Sequence, residues 1–84
     1  MKSPLLSKNN FLQFTATELM VPVSKIAFET KFRQISTWSS LNALIYISRI
    51  NEETNVLISA NDLVKSETIE DIYQLILKRS NGTA

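Results

Sequence analysis

The sequence contains no histidine and no cysteine. Without cysteine there is no disulfide framework and no thiolate zinc site; without histidine the commonest general base and metal ligand are also missing. Neither a Ser-His nor a Cys-His pair can be assembled, so nothing obvious in the local sequence would activate a hydroxyl. One glycine and two prolines in 84 residues argue against a loop-rich β protein. Long apolar runs are lacking too. Leu5, Leu6, Phe11, Leu12 and Phe14 are interrupted by Ser7, Lys8, Asn9 and Asn10 before a signal-peptide core is reached, and no segment is long enough to cross a bilayer. A cytoplasmic location without membrane insertion is the expectation. No paired catalytic acids, phosphate loop or metal cluster is evident, so a free-standing enzyme is not expected.

What is present is 44% apolar content in one short chain, which suits a single core and a small all-α domain spanning residues 1–84. The net charge of +1 is unevenly placed: residues 1–38 carry +3, residues 39–84 carry −2, and residues 51–71 alone carry −5. That last concentration comes from Glu52, Glu53, Asp62, Glu67, Glu70 and Asp71 against Lys65. It suits a basic partner surface, and it suits equally a set of solvated helix caps and faces. Nucleic acid is not an expected partner, because a binder would need a basic stripe on one helix and the central helix has Arg49 alone.

Four helices can be traced along the chain. The first opens at Ser3-Pro4, at Ser7 or at Asn9; Leu12, Ala16 and Leu19 share a face, with Phe11 or Met20 beside it, and Pro22 ends it. From Val21 to Thr37 the pattern is irregular, and Val23, Ile26, Phe28, Phe32 and Ile35 read as anchors pinning a crossing loop to the core. The best-specified helix runs from Ser39 or Ser40 to about Thr54. Leu41, Leu44, Ile47, Ser48 and Ile50 or Asn51 trace its core-facing stripe, which Ala43, Ile45 and Tyr46 widen. With that stripe inward, Ile45 lies toward solvent, as a scattered surface residue or as part of a contact patch.

Val56-Leu57-Ile58 has no partner strand and reads as loop. Ser59 caps a brief helix through Val64. Thr68-Ile69-Glu70-Asp71 has the form of a capping box and opens a last helix with Ile69, Ile72, Tyr73, Leu75 and Ile76 at helical spacing. Lys78 and Arg79 meet its negative end, Asn81-Gly82 stops it, and residues 80–84 form a tail. The architecture expected is a small four-helix bundle, three longer helices and one short, with a long loop between the first two. A serine at the mouth of the second helix sits where unpaired N–H groups and the positive end of the dipole favour a phosphate.

From Ser40 to Ile76 the sequence resembles the acyl carrier proteins and the wider carrier group that includes peptidyl carriers. The resemblance is carried by Ser40-Leu41 at the helix mouth, the helix end Asn51-Glu52-Glu53-Thr54, the segment Val56-Leu57-Ile58-Ser59, and Thr68-Ile69-Glu70-Asp71. Trp38-Ser39-Ser40-Leu41, with Thr30-Lys31-Phe32-Arg33 upstream, looks most like carriers of Bacteroides-type bacteria. The resemblance implies an acyl-carrier-like, monomeric bundle. In that family the serine directly before the core leucine, here Ser40, receives 4′-phosphopantetheine from coenzyme A through a phosphopantetheinyl transferase. The arm presents acyl or related intermediates as thioesters for fatty acid, polyketide or related secondary metabolite biosynthesis. Its partners are loading and transferring enzymes such as ligases and ketosynthases. A peptidyl or aminoacyl carrier, or a degenerate carrier acting only as an interaction module, is the alternative.

Two departures from the family pattern stand out. Ser39 occupies the usual aspartate position, removing a charge that in relatives helps dock the transferase. Along the recognition helix Asn42, Ile45 and Arg49 replace much of the acidic character, while Glu52 and Glu53 keep it at the far end. Partner contacts are therefore expected at Ser39, Leu41, Asn42, Ile45, Arg49 and Glu52, resting on an apolar contact more than on charge steering. Leu44, Ile47, Ile50, Ile58 and Leu63 would line the space between the second and third helices, where carriers of this kind shelter an acyl chain; otherwise they are ordinary core.

Overall fold

Four helices form within residues 7–82, the part of the chain that the computed structural model describes: α1 (Lys8–Glu18), α2 (Ser40–Thr54), α3 (Ala60–Lys65) and α4 (Ile69–Gly82). Two single-turn 3-10 segments, Val23–Lys25 and Phe32–Gln34, lie in the connection between α1 and α2, and no strand forms among the described residues. The expected bundle of three longer helices and one short, with its long loop, is what folds. Ser3-Pro4 lies outside the described residues, and Ser7 takes the N-cap position of α1. At the other end α4 takes in Ser80 through Gly82, which the sequence reading had placed in a tail.

One apolar cluster joins all four helices: Phe11 and Ala16 of α1, Tyr46, Ile47 and Ile50 of α2, Leu63 of α3, and Ile69, Ile72, Tyr73 and Ile76 of α4. Val56 and Ile58 enter it from the α2–α3 connection, which forms no strand. The long loop enters it through Ile26 and Phe32, with Phe28 and Ile35 packed at its margin. Val23 is not an anchor; it is 43% exposed on the first 3-10 turn. Backbone bonds do the rest of the pinning. The carbonyls of Phe28 and Thr30 accept from the N–H groups of Glu70 and Ile69 at 2.9 and 3.1 Å. Those donors belong to the first turn of α4, which has no partner for them within the helix. The capping box beside them is closed: Asp71 N–H donates to Thr68 Oγ1 at 3.2 Å and Thr68 N–H to Asp71 Oδ2 at 3.0 Å.

The end of α1 is set before Pro22 is reached. Met20 adopts the left-handed region, with φ of 58°, and the N–H groups of Val21 and Met20 return to the carbonyls of Ala16 and Thr17. This Schellman arrangement usually takes glycine; methionine tolerates it here with its side chain in solvent. Met20 therefore does not flank the buried face of α1. Phe11, Thr15, Ala16 and Leu19 form that face, and Leu12 is half-buried.

The rotation of α2 also differs from the expected stripe. Leu41 and Leu44 are 66% and 57% exposed and Ser48 is exposed, whereas Tyr46, Ile47 and Ile50 are buried. Ile47 and Ile50 are buried and Ile45 is exposed, as expected; the departure is at Leu41, Leu44 and Ser48, with Tyr46 inward in their place. A paired hydroxyl allows it. Tyr46 OH and Thr15 Oγ1 share a fully buried hydrogen bond of 2.7 Å, with the Phe14 and Trp38 rings against Tyr46 at 5.9 and 6.4 Å. A tyrosine can be buried whole only when its hydroxyl finds such a partner. Burial pushes its phenol above the ordinary range, with the Thr15 bond acting the other way.

Arg79 lies in the last turn of α4, but its side chain leaves that helix end. It reaches across to α3, with Nη1 at 2.7 Å and Nη2 at 2.9 Å from the two carboxylate oxygens of Asp62, and also donates to the Leu57 carbonyl at 2.8 Å. The guanidinium holds the Asp62 carboxyl well below the usual carboxylate range, helped by the Ser59 N–H. A carboxyl lowered in the folded state contributes stability at neutral pH that is lost as pH falls below about 4 toward its folded value. Asp62→Asn should therefore flatten the acid limb of a stability profile measured by urea unfolding from about pH 5 downward; an acid limb identical to wild type would refute the pairing. Asp71 is lowered likewise, by the N–H groups of Thr68 and Glu67. Much of the acidic concentration in residues 51–71 is thus engaged in caps and internal pairs.

Candidate functional site

The mouth of α2 is built from two adjacent serines with different roles. Ser39 is extended, at φ −153° and ψ 168°, and its Oγ accepts the Asn42 N–H at 3.1 Å as an N-cap. Its carbonyl accepts the Ala43 N–H at 2.8 Å. Asn42 is held in turn, donating from its side chain to the Thr37 carbonyl at 2.5 Å, and the Thr37 hydroxyl donates to the Leu19 carbonyl at the end of α1. Ser40, the first residue of α2, is exposed, and its hydroxyl makes no hydrogen bond among the described residues. The N–H groups of Ser40 and Leu41 are likewise without a partner among them, as first-turn donors of a helix are unless something caps them. The arrangement offers an anionic group a free hydroxyl for attachment and two amides at the positive end of a helix dipole.

Beside Ser40 runs a groove of about 480 Å³ with mostly apolar walls. Phe32 and Trp38 of the loop and Ala43, Leu44 and Ile47 of α2 form one side; Ala60, Leu63 and Val64 of α3 form the other. Of the five residues expected in an acyl pocket, Leu44, Ile47 and Leu63 meet here, with Leu44 on the rim. Ile50 and Ile58 do not reach the groove. Both are buried in the core, Ile50 from α2 and Ile58 from the α2–α3 connection, and the groove is left to Leu44, Ile47 and Leu63. A larger hollow of about 730 Å³ beneath the loop, with Lys25, Glu29 and Lys31 on its walls, does not include Ser40.

The expected partner residues separate into two kinds. Leu41 and Ile45 are exposed and, with Leu44, make a continuous apolar face next to Ser40. Arg49 and Glu52 are bonded to each other, and Arg49 also pairs with Glu53 at 3.6 Å and with Glu18 of α1 at 3.4 Å. The acidic end of α2 is in this way partly neutralised from within the molecule.

Sequence reasoning missed one residue of the site. The guanidinium of Arg33, in the second 3-10 turn, donates to the Ser66 carbonyl at 2.8 and 2.7 Å, to Leu63 at 3.0 Å and to Val64 at 2.9 Å. No local pattern announces this; the three carbonyls become a target because α3 ends there, where the Leu63 carbonyl also accepts the Ser66 N–H at 3.1 Å and the helix supplies no further donors. Among the described residues no group of three or more histidine, cysteine, aspartate or glutamate side chains could hold a metal ion, and no helix is long and apolar enough to cross a membrane. A family model described as "Phosphopantetheine attachment site" matches residues 11–76, from Phe11 of the α1 core face to the buried Ile76 of α4. No curated protein matches the chain.

Proposed function

The chain belongs to the phosphopantetheine-binding carrier proteins, and from that premise we propose that Ser40 is the residue bearing the arm. Members of this family carry covalently attached 4′-phosphopantetheine and work with phosphopantetheinyl transferases and biosynthetic enzymes. The residues present fit the group. Ser40 offers a free exposed hydroxyl and the α2 mouth offers amides suited to a phosphodiester, while Ser39 Oγ is occupied as the cap. That contrast between neighbouring hydroxyls is the observation that supports Ser40 most directly. When attached, the arm supplies a thiol to a chain that has no cysteine of its own.

The groove beside Ser40 supports an acyl cargo. Its walls are mostly aromatic and aliphatic, with the aromatic pair Phe32 and Trp38, centroids 4.8 Å apart, on one side. We therefore read the protein as a cytoplasmic, monomeric acyl carrier for fatty acid, polyketide or related biosynthesis, with the chemistry done by the enzymes that load and unload it. The test is an intact mass after incubation of unmodified protein with coenzyme A and a promiscuous phosphopantetheinyl transferase. A gain of one phosphopantetheine is expected, and no gain sinks the reading.

Docking of those enzymes is assigned to the apolar face of Leu41, Leu44 and Ile45, where no acid lies in the first turns of α2. Ile45→Glu should leave the unfolding midpoint nearly unchanged, since the side chain is 45% exposed, and should slow acyl loading by a cognate ligase about tenfold. Unaltered loading kinetics on a folded mutant would reduce Ile45 to an ordinary surface residue.

A further inference from the structure

We propose that Arg33 is a positioning residue that sets the width of the groove beside Ser40, and so the size of acyl group it accepts, by latching the C-terminal end of α3. The cargo half of this rests on the reading of Ser40 above; the latch itself does not.

α3 has six residues, too few for its own hydrogen bonds to hold it, and only Leu63 of the helix is buried. What fixes it is a polar tether at each end. At the N-terminal end Ser59 and Asp62 close a capping box, with bonds of 2.9 and 3.2 Å, and Arg79 of α4 grips the Asp62 carboxylate. At the C-terminal end Arg33 holds the carbonyls of Leu63, Val64 and Ser66. Leu63 and Val64 are also the residues that α3 presents to the groove, while Val64 is 71% exposed and gains little from packing. Leu63 is held by the core as well, but the position of Val64 and of the helix end depends on the guanidinium more than on apolar burial.

Arg33 is placed to do this with little freedom of its own. It stacks 4.9 Å from the Phe32 ring centre, and Phe32 lines the opposite side of the same groove. One side chain thus spans the gap between the two walls and holds them at a set distance. Without it, the tether to Arg79 and the capping box persist, so α3 pivots about its N-terminal end and Leu63 and Val64 move away from Phe32 and Trp38. Lysine cannot replace the fork, since a single ammonium does not bridge three carbonyls in fixed geometry.

Two measurements decide it. First, amide hydrogen exchange on the unmodified protein: Arg33→Ala should speed exchange at Leu63 and Ser66 about tenfold while Ile47 and Ile72 stay as in wild type, with Arg33→Lys between the two. Unchanged exchange at Leu63 and Ser66 overturns the latch, and so does an equal rise across all four helices, which would mark ordinary loss of stability. Second, the arm is delivered to Ser40 already acylated, from hexanoyl- or tetradecanoyl-coenzyme A, and the emission of Trp38, the sole tryptophan, reports occupancy of the groove. Relative to the unacylated arm, hexanoyl should shift Trp38 emission in wild type and tetradecanoyl should not; in Arg33→Ala both should shift it. The same response to both chains in wild type and mutant overturns the size-setting role. Failure of wild type to take up either arm overturns the cargo half together with the reading of Ser40, and the exchange data then decide the latch alone.

Discussion

Ser40→Ala should take up no phosphopantetheine, while Ser39→Ala should be modified to completion. The two residues are adjacent and chemically alike, so the expected difference comes from what each oxygen already does. Ser39 Oγ accepts the Asn42 N–H and stands outside the helix, whereas Ser40 Oγ is exposed and without a hydrogen-bond partner among the described residues. Ser39→Ala removes the cap and should cost about 1 kcal/mol of stability, read as a lower urea midpoint, without removing the acceptor. Ser40→Ala should leave the midpoint close to wild type, because alanine is a good helix former and no bond is lost. Its failure to react is then not a folding defect. An undiminished mass gain on Ser40→Ala, or a gain abolished in Ser39→Ala, would reverse the assignment.

The second large effect is on stability. Tyr46→Phe strands the Thr15 hydroxyl in a site that is fully closed to water, and should cost about 1–3 kcal/mol in urea unfolding. Thr15→Val strands the phenol in the same way. The double mutant Thr15→Val/Tyr46→Phe should recover part of the summed loss, since two apolar groups then face each other and no polar atom is left unpaired. Losses that simply add would mean that the hydroxyls do not depend on each other. More than stability hangs on this bond. By drawing Tyr46 inward it sets the rotation of α2, and that rotation exposes Leu41, Leu44 and Ile45 beside Ser40.

That rotation shows where legibility in the sequence stopped. α2 was traced to within a residue at each end: Ser39 is a strong cap visible in the sequence, and the structure adds Asn55, at φ 58°, which closes the helix in the left-handed region that asparagine tolerates. Its buried face was read in part: Ile47 and Ile50 are buried as expected, while Leu41 and Leu44 yield to Tyr46, whose partner, Thr15, lies on another helix. The groove was legible in part for the same reason: Leu44, Ile47 and Leu63 reach it, and Ile50 and Ile58 belong to the core. The capping box at Thr68 was readable because both of its halves lie within four residues. Arg33 was not, since its acceptors are carbonyls, which every residue has, at the end of a helix far along the chain.

By itself the sequence determined the helix count, the helix ends marked by Ser39, Ser59 and Thr68, the lack of any thiol or imidazole, and a serine at a helix mouth suited to phosphate. These depend on interactions within a turn or two of chain, where spacing alone places the groups together. Only the tertiary structure decided which face of α2 is buried, which residues line the groove, and what holds α3 against it. Each of those turns on one polar side chain, Tyr46, Arg79 or Arg33, meeting a group from a distant part of the chain. A polar atom both buried and unpaired costs about 1–3 kcal/mol, as much as burying one large apolar side chain contributes, so a single such meeting can decide between faces of similar hydrophobicity.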